Sequence, residues 1–257
     1  MGTINDSIGF FYDGEYSEDY GIKNVMIGSG MYDEQFVSGI AINETSVKGS
    51  DEPMFHSLDE SPREFEMYLA FDKGFDNFKL DNIIRWLYKG YYRPMSMKNS
   101  PDKIMHCMPV GDSRIVHNGL KEGYLQITMR TKSSKFESPL VITEPYDLST
   151  NVNGYTISIM NDGHTSVYPE LSIKKIGIGN ITITKDSEIF EIRDLTDQED
   201  IYINSEKEMI ETDIVGVYRY DNIIGDFHDL EMKVGNNDFF IEGTCEITFR
   251  YREKYRF

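Results

Sequence analysis

Among the residues able to do chemistry, carboxylates dominate: 44 Asp and Glu stand against 26 Lys and Arg, with 5 His and 2 Cys. A pair of carboxylates can act as acid and base on a glycosidic bond, but a chain this rich in them singles out no pair. The densest run, Asp194 to Asp200 (DLTDQED), lacks the glycine and the alternating ligand spacing of a calcium loop and reads as a solvated loop. His106 and Cys107 are adjacent, and neighbours on a strand face opposite ways, which is poor geometry for shared ligation. His56, His117, His164 and His228 show no H-x-x-x-H or H-x-H spacing, so no zinc set emerges, and Cys107 and Cys245 read as small buried hydrophobes. Gly177-Ile178-Gly179 begins like a dinucleotide loop. It lacks the third glycine and runs on through Ile181 and Ile183 as strand where a helix N-terminus is needed. No Gly-x-Ser-x-Gly elbow occurs. The sequons at Asn43 and Asn180 mean nothing without a secretory signal. The residues therefore nominate no catalytic, metal-ligating or cofactor-binding set, and no cofactor is expected.

The elements that could position such groups come from a chain of 257 residues, 39% apolar, with 17 Tyr, 15 Phe and one Trp, which is enough to build a core in one large or two ordinary domains. The net charge of −18 disfavours general binding of a polyanion through a basic face. No apolar stretch is long enough to span a bilayer, and no basic, apolar leader opens the chain. Met1-Gly2 is not followed by the Ser or Thr of a myristoylation signal, since Asp6 stands there. The expectation is a chain made in the cytosol, soluble and reduced, without membrane insertion.

Strand patterns prevail. Ile8–Tyr12 ends at Asp13-Gly14, a hairpin dipeptide, and Gly21–Ile27 is the return strand, closed by Gly28-Ser29-Gly30. Arg63–Phe71 puts Phe65, Met67, Leu69 and Phe71 on one face. Arg93–Met97, Lys103–Val110, Arg114–His117 and Tyr124–Thr131 follow. Between them, Asn77–Lys89 places Leu80, Ile83, Ile84 and Leu87 at helical spacing with Gly90 as a stop. Trp86 lies beside that stripe, and a core anchor is expected there rather than a ligand-stacking platform. Lys132–Asn153, richer in Ser, Thr, Asn and Pro, reads as a boundary. Beyond it come short strands at Tyr155–Met160, Glu170–Ile176, Asn180–Thr184, Ile189–Ile192, Ile201–Asn204, Glu208–Thr212, Gly216–Tyr220, Phe239–Glu242 and Thr244–Phe257, the spacing of an antiparallel sandwich.

The last of these strands alternates aromatic Phe249, Tyr251, Tyr255 and Phe257 with basic Arg250, Arg252, Lys254 and Arg256. Period two puts the two sets on opposite faces. The aromatic face suits a core. The basic row is unusual in residues 138–257, which hold 23 acids against 11 bases, and it either neutralises acidic neighbouring strands or docks an acidic partner. Cross-strand pairing needs no partner and is the expectation.

Five segments, Phe10 to Ile22, Arg63–Phe71, Leu80 to Leu87, Tyr168–Ile173 and Gly235 to Gly243, in this order resemble the distal tail protein (Dit) family of long-tailed bacteriophages. Phe10 to Ile22 (FFYDGEYSEDYGI) is similar to the family's opening strand, turn and second strand, and Arg63–Phe71 to its central strand. Leu80 to Trp86-Leu87 resembles the helix that follows, Tyr168-Pro169-Glu170-Leu171-Ser172-Ile173 an aromatic-Pro strand, and Gly235-Asn236-Asn237 with Phe239–Gly243 the closing turn and strand. Ile40–Asp59 departs from the pattern, offering only Gly49-Ser50-Asp51 where many members carry a Pro-Gly-Arg-Asp-Gly-type loop.

The resemblance implies a mainly-β chain of two domains. Residues 1–137 would form a tail-tube-like β-barrel or sandwich with a short helix near 77–89, and residues 138–257 a galectin-like antiparallel β-sandwich. It implies a structural virion protein, not an enzyme, at the distal end of the tail. Six copies would close into a ring that joins the tail tube protein to tip or baseplate proteins, with a receptor-binding protein as a further partner and DNA only in transit through the lumen. The alternative is a carbohydrate-binding protein that meets host cell-wall saccharide through its second domain.

Overall fold

The computed structural model describes residues 4, 6–28 and 37–256. Met1-Gly2, Ser29-Gly30 and Phe257 therefore lie outside the described residues. The chain divides into two compact units, residues 1–137 with 256–257 and residues 138–255.

The first unit contains β1 (Phe10–Tyr12), β2 (Glu15–Tyr16), β3 (Ile22–Val25), β4 (Ile40–Thr45), β5 (Met54–Glu60), β6 (Glu64–Phe71), α1 (Asn77–Leu87), β7 (Arg93–Met97), β8 (Ser100–His117), β9 (Gly123–Thr131) and β10 (Lys135–Glu137). Its main sheet runs β2-β1-β7-β8-β9-β6-β3. Asp13 and Gly14 take φ of 53° and 82°, the left-handed pair that a two-residue hairpin demands. Alternation on β6 turns Met67, Leu69 and Phe71 inward, and the register pairs Met67 with Ile127 and Leu69 with Leu125 of β9.

The two strands read at Lys103–Val110 and Arg114–His117 are one strand, β8, whose pairing with β9 shifts between Val110 and Arg114 at Gly111, φ +63°. The sheet stays open rather than closing as a barrel. One edge, β2, is diverted after two residues by the 3-10 turn Ser17–Tyr20. The other, β3, meets the chain before β1 through one backbone bond, Asn24 N–H to Ile8 O at 2.8 Å, and through the Asn24 amide, which donates to Ile4 O and Ser7 O.

α1 starts where Asp76 accepts a hydrogen bond from Lys79 N–H at 2.7 Å, an N-cap. Its buried face is Ile83, Trp86 and Leu87. Trp86 thus belongs to the stripe rather than lying beside it, and Ile84, read as a stripe residue, is 53% exposed.

The second unit is an antiparallel sandwich. One sheet runs in the order Val141–Ile142, Cys245–Tyr251, Glu170–Lys175, Asp200–Asn204, Met209–Thr212, with Tyr146–Asp147 also on Cys245–Tyr251. The other runs Tyr155–Asn161, Gly235–Glu242, Gly179–Lys185, Glu188–Leu195, Ile223–Ile224. Inward-facing residues of both sheets, among them Ile173, Ile203, Phe190, Phe239 and Phe249, form one core. Two strand readings change. Gly216–Tyr220 is loop leading into a 3-10 turn at Tyr220–Asn222, and the closing run breaks into Cys245–Tyr251 and Lys254–Arg256. No helix among the described residues is long and apolar enough to cross a membrane.

Candidate functional site

The groups able to do chemistry are dispersed or structural. No cluster of three or more His, Cys, Asp or Glu could hold a metal ion among the described residues. Cys107 and Cys245 are free and buried, and burial pushes both thiols up, Cys245 to about 11, so neither presents a thiolate at neutral pH. His228 sits against the carboxylates of Asp226 and Glu208, and His56 bonds Thr45.

The run Asp194–Asp200 is more than a solvated loop. Its Glu199 is fully buried and takes a two-pronged bond from Arg219, Nε to Oε1 at 2.8 Å and Nη2 to Oε2 at 2.6 Å. Thr212 Oγ1, Thr196 N–H and Thr196 Oγ1 complete the shell around the carboxylate. Burial alone would raise the Glu199 carboxyl, but the Arg219 guanidinium and these donors hold it below the usual carboxylate range.

Three of the four basic residues of the closing segment neutralise acidic neighbours, and one of them, Arg250, does so across a strand pair. Arg250 lies 3.7 Å from Glu170, Lys254 2.8 Å from Glu206 and Arg256 2.9 Å from Glu60, while Arg252 donates to Ser138 O at 3.0 Å. Trp86 is a core anchor. Its ring stacks on Tyr20 at 4.2 Å and 4°, meets Phe10 and the edge of Tyr12, and its Nε1 donates to Tyr12 O at 2.9 Å. Trp86→Ala is expected to cost about 3–5 kcal/mol, seen as a lower urea midpoint by far-UV circular dichroism.

What the first unit leaves for interaction is a hairpin and a groove. β4 and β5 pair only with each other, and every residue of β4 is exposed. Their large apolar side chains stand in solvent: Ile42 is 63% exposed, Phe55 59%, Met54 58% and Leu58 50%. A lone two-stranded hairpin is marginal in water, and apolar groups displayed together mark an interaction surface.

The hairpin base is fixed. Glu60, nearly buried, accepts from Ser134 Oγ at 3.0 Å and from Arg256 Nε at 2.9 Å, with Lys135 at 3.5 Å, and Ser61 N–H reaches Gly39 O. Burial works to raise the Glu60 carboxyl, and these donors and charges outweigh it, so it stays ionised below the ordinary range. The arrangement is a clamped base under an uncovered apolar arm. Near α1, a groove of about 450 Å³ lies between the helix and the β8 irregularity, lined by Leu80, Ile84, Leu87, Tyr88, Ile115 and Leu125. Tyr88 and Ser113 bond across its rim.

Residues 5–133, which hold the hairpin, the helix and the open sheet, match the family model described as phage tail protein N-terminal domain. The chain belongs to this family. Over 255 residues it is 28% identical to the SPbeta prophage-derived uncharacterized protein YomH of Bacillus subtilis strain 168, covering 98% of this chain and 99% of the relative. Among solved structures it is similar to SPP1 Dit (gp 19.1), described as a paradigm of hub adsorption apparatus in phages infecting Gram-positive bacteria. The TM-score is 0.66 at 12% identity, over 96% of this chain and 98% of that one. The likeness shows a shared fold: this phage tail protein has the Dit fold along nearly its whole length. A chain of the phage P2 baseplate, in its activated conformation with calcium, aligns at a TM-score of 0.44 and 7% identity over 91% of this chain and 90% of its own.

Two features of this tail protein escape a linear reading. The hairpin leaves little trace in the sequence because neither strand has a buried face to impose alternation; its only signal is the β-rich Ile40–Ile42 and Met54–Leu58 flanking Gly49. The Glu199–Arg219 pair joins residues 20 positions apart, with nothing local to mark it.

Proposed function

We propose that this phage tail protein is a structural hub at the distal end of the tail. Six copies close into a ring through the first unit, and the ring joins the tail tube to the tip or baseplate. The observation that carries this reading is the clamped, uncovered hairpin of residues 40–60. A heterologous contact, in which the arm of one copy packs on a different face of the next, buries those side chains and generates a closed ring when the rotation per step is 60°.

The acidic charge fits a lumen. Residues 1–137 carry 21 acids against 15 bases, so a six-membered ring multiplies a local excess of carboxylates beside passing DNA, repelling phosphate and letting the genome slide. The work is done by interfaces and needs no chemical step. Gold-labelled antibody against the chain is expected to mark the tail end far from the capsid in intact virions; label along the tube or on the capsid would overturn the placement.

A second reading has its own observation. Across the outer face of one sheet of the second unit runs a trough of about 480 Å³. Register places Thr248, Ser172, Tyr202 and Glu211 in one transverse row along it, hydroxyls and a carboxylate beside a single aromatic ring. Such a row suits a saccharide. Saturable binding of host cell-wall polysaccharide, abolished by Tyr202→Ala, would promote this reading, and absence of binding would dismiss it.

A further inference from the structure

Strand registers bring five connections of the second unit to one end of the sandwich. Tyr155 pairs with Ile241, Lys175 with Cys245, Gly179 with Leu195, Lys174 with Asp200 and Ile201 with Thr212, so loops 148–154, 176–178, 196–199, 213–222 and 243–244 share that end. These loops are fastened to one another. The buried Lys175 ammonium donates to Ile176 O at 2.8 Å and to Thr244 O at 3.0 Å. Gly177 N–H donates to Asp197 Oδ1 at 2.6 Å, and the Asn151 amide to Ile241 O at 2.9 Å and Gly243 O at 3.1 Å. The Glu199–Arg219 pair ties loop 196–199 to loop 213–222.

On this fixed base stand the four most exposed large apolar side chains of the unit: Val215 at 99%, Val152 at 88%, Ile178 at 82% and Tyr218 at 82%. Each tops a different loop except Val215 and Tyr218, which share one. At the opposite end the most exposed are Ile142 and Val234, at 57% and 56%. Solvent-exposed carboxylates of Asp194, Asp197, Asp213 and Asp221 surround the tips, while Arg219, the one cation of loop 213–222, is already paired inside.

Apolar knobs held rigidly lose little entropy on docking, which is how a small surface gains affinity. We propose that this end is a docking surface for a separate protein whose face carries apolar pockets ringed by Lys and Arg. Charge argues against the other occupants. Anionic lipid headgroups are repelled by the acidic rim, and a second copy of this unit, with 23 acids against 11 bases over residues 138–257, presents like charge. The proposal does not depend on ring formation.

The test incorporates the photo-crosslinking residue benzoylphenylalanine in place of Val215 in the full chain, with Val234 as the control position, in tails purified from the phage that encodes it. The expected result is one discrete protein adduct from position 215, absent from 234, whose crosslinked peptide is bordered by Lys or Arg. Its yield should fall about tenfold in the Asp221→Lys background. Asp221 is exposed and accepts no hydrogen bond in the network above, and an unchanged melting profile of that variant separates lost docking from lost folding. An adduct to lipid or to a second copy, an equal yield from position 234, no adduct at all, or an adduct indifferent to the charge reversal in a folded variant would overturn the proposal.

Discussion

A chain carrying Ile42→Ser, Phe55→Ser and Leu58→Ser together is expected to fold as the parent does and to stay monomeric under conditions in which the proposed ring assembles. The three side chains are 63%, 59% and 50% exposed in the single chain, so their truncation removes little that the fold uses. Exposed substitutions of this kind stay within about 0.5 kcal/mol. In the proposed ring the same side chains would be buried against a neighbour, where each would contribute about 1.5–3 kcal/mol. Losing three weakens every copy-to-copy contact on the order of a thousandfold or more. The proposed closure would repeat the contact six times, so such a ring would fail as a unit. Circular dichroism and sedimentation velocity on the same sample separate the two effects. A variant that still assembles would remove the hairpin from the interface.

The second large effect is expected inside the other unit. Glu199→Ala leaves the Arg219 guanidinium, 7% exposed, without its carboxylate, and an uncompensated buried charge of this kind costs about 3–5 kcal/mol. Thr212 and Thr196 lose their acceptor as well. The double variant Glu199→Leu, Arg219→Met removes both charges and should recover most of the loss, since well-packed apolar replacements of a buried pair are close to neutral. Urea titration followed by far-UV circular dichroism checks both.

The pair also sets an acid dependence. The Glu199 carboxyl is lowered in the fold, so its contribution is complete above the ordinary carboxylate range and is lost as pH falls through the lowered folded value. The parent should therefore lose stability with acid in a step that the double variant lacks. Equal acid profiles for the two would show that the pair is not the titrating element.

How far the molecule was legible in its sequence follows from where burial imposes a pattern. β6 and the strands of the sandwich alternate because one face of each packs on a core, and Asp13-Gly14 adopts the left-handed geometry its residue types favour. α1 was legible from its spacing and the Asp76 cap, although Trp86 and Ile84 exchange roles: a large aromatic filled the pocket between Tyr12 and Tyr20 and turned Ile84 outward. Legibility ends where no core acts. β4 and β5 lack a buried face that would impose alternation, and Gly216–Tyr220, whose valine and tyrosines suggest a strand, forms an exposed loop instead. The acidic run 194–200 hid Glu199 because a buried carboxylate differs from its solvated neighbours only through Arg219, which folding alone brings to it.

Of the basic row, Arg250, Lys254 and Arg256 neutralise carboxylates of the same chain and Arg252 meets a backbone carbonyl. That leaves the apolar hairpin as the feature of the first unit that most needs a neighbour.

Sedimentation velocity of the purified full chain, with negative-stain images of the same fractions, tests the central claim most directly. The account predicts a concentration-dependent species of six 29.8 kDa chains that appears end-on as a six-fold ring with an open centre. A species that remains a single chain at the highest attainable concentration, or an assembly whose centre is closed, would contradict it.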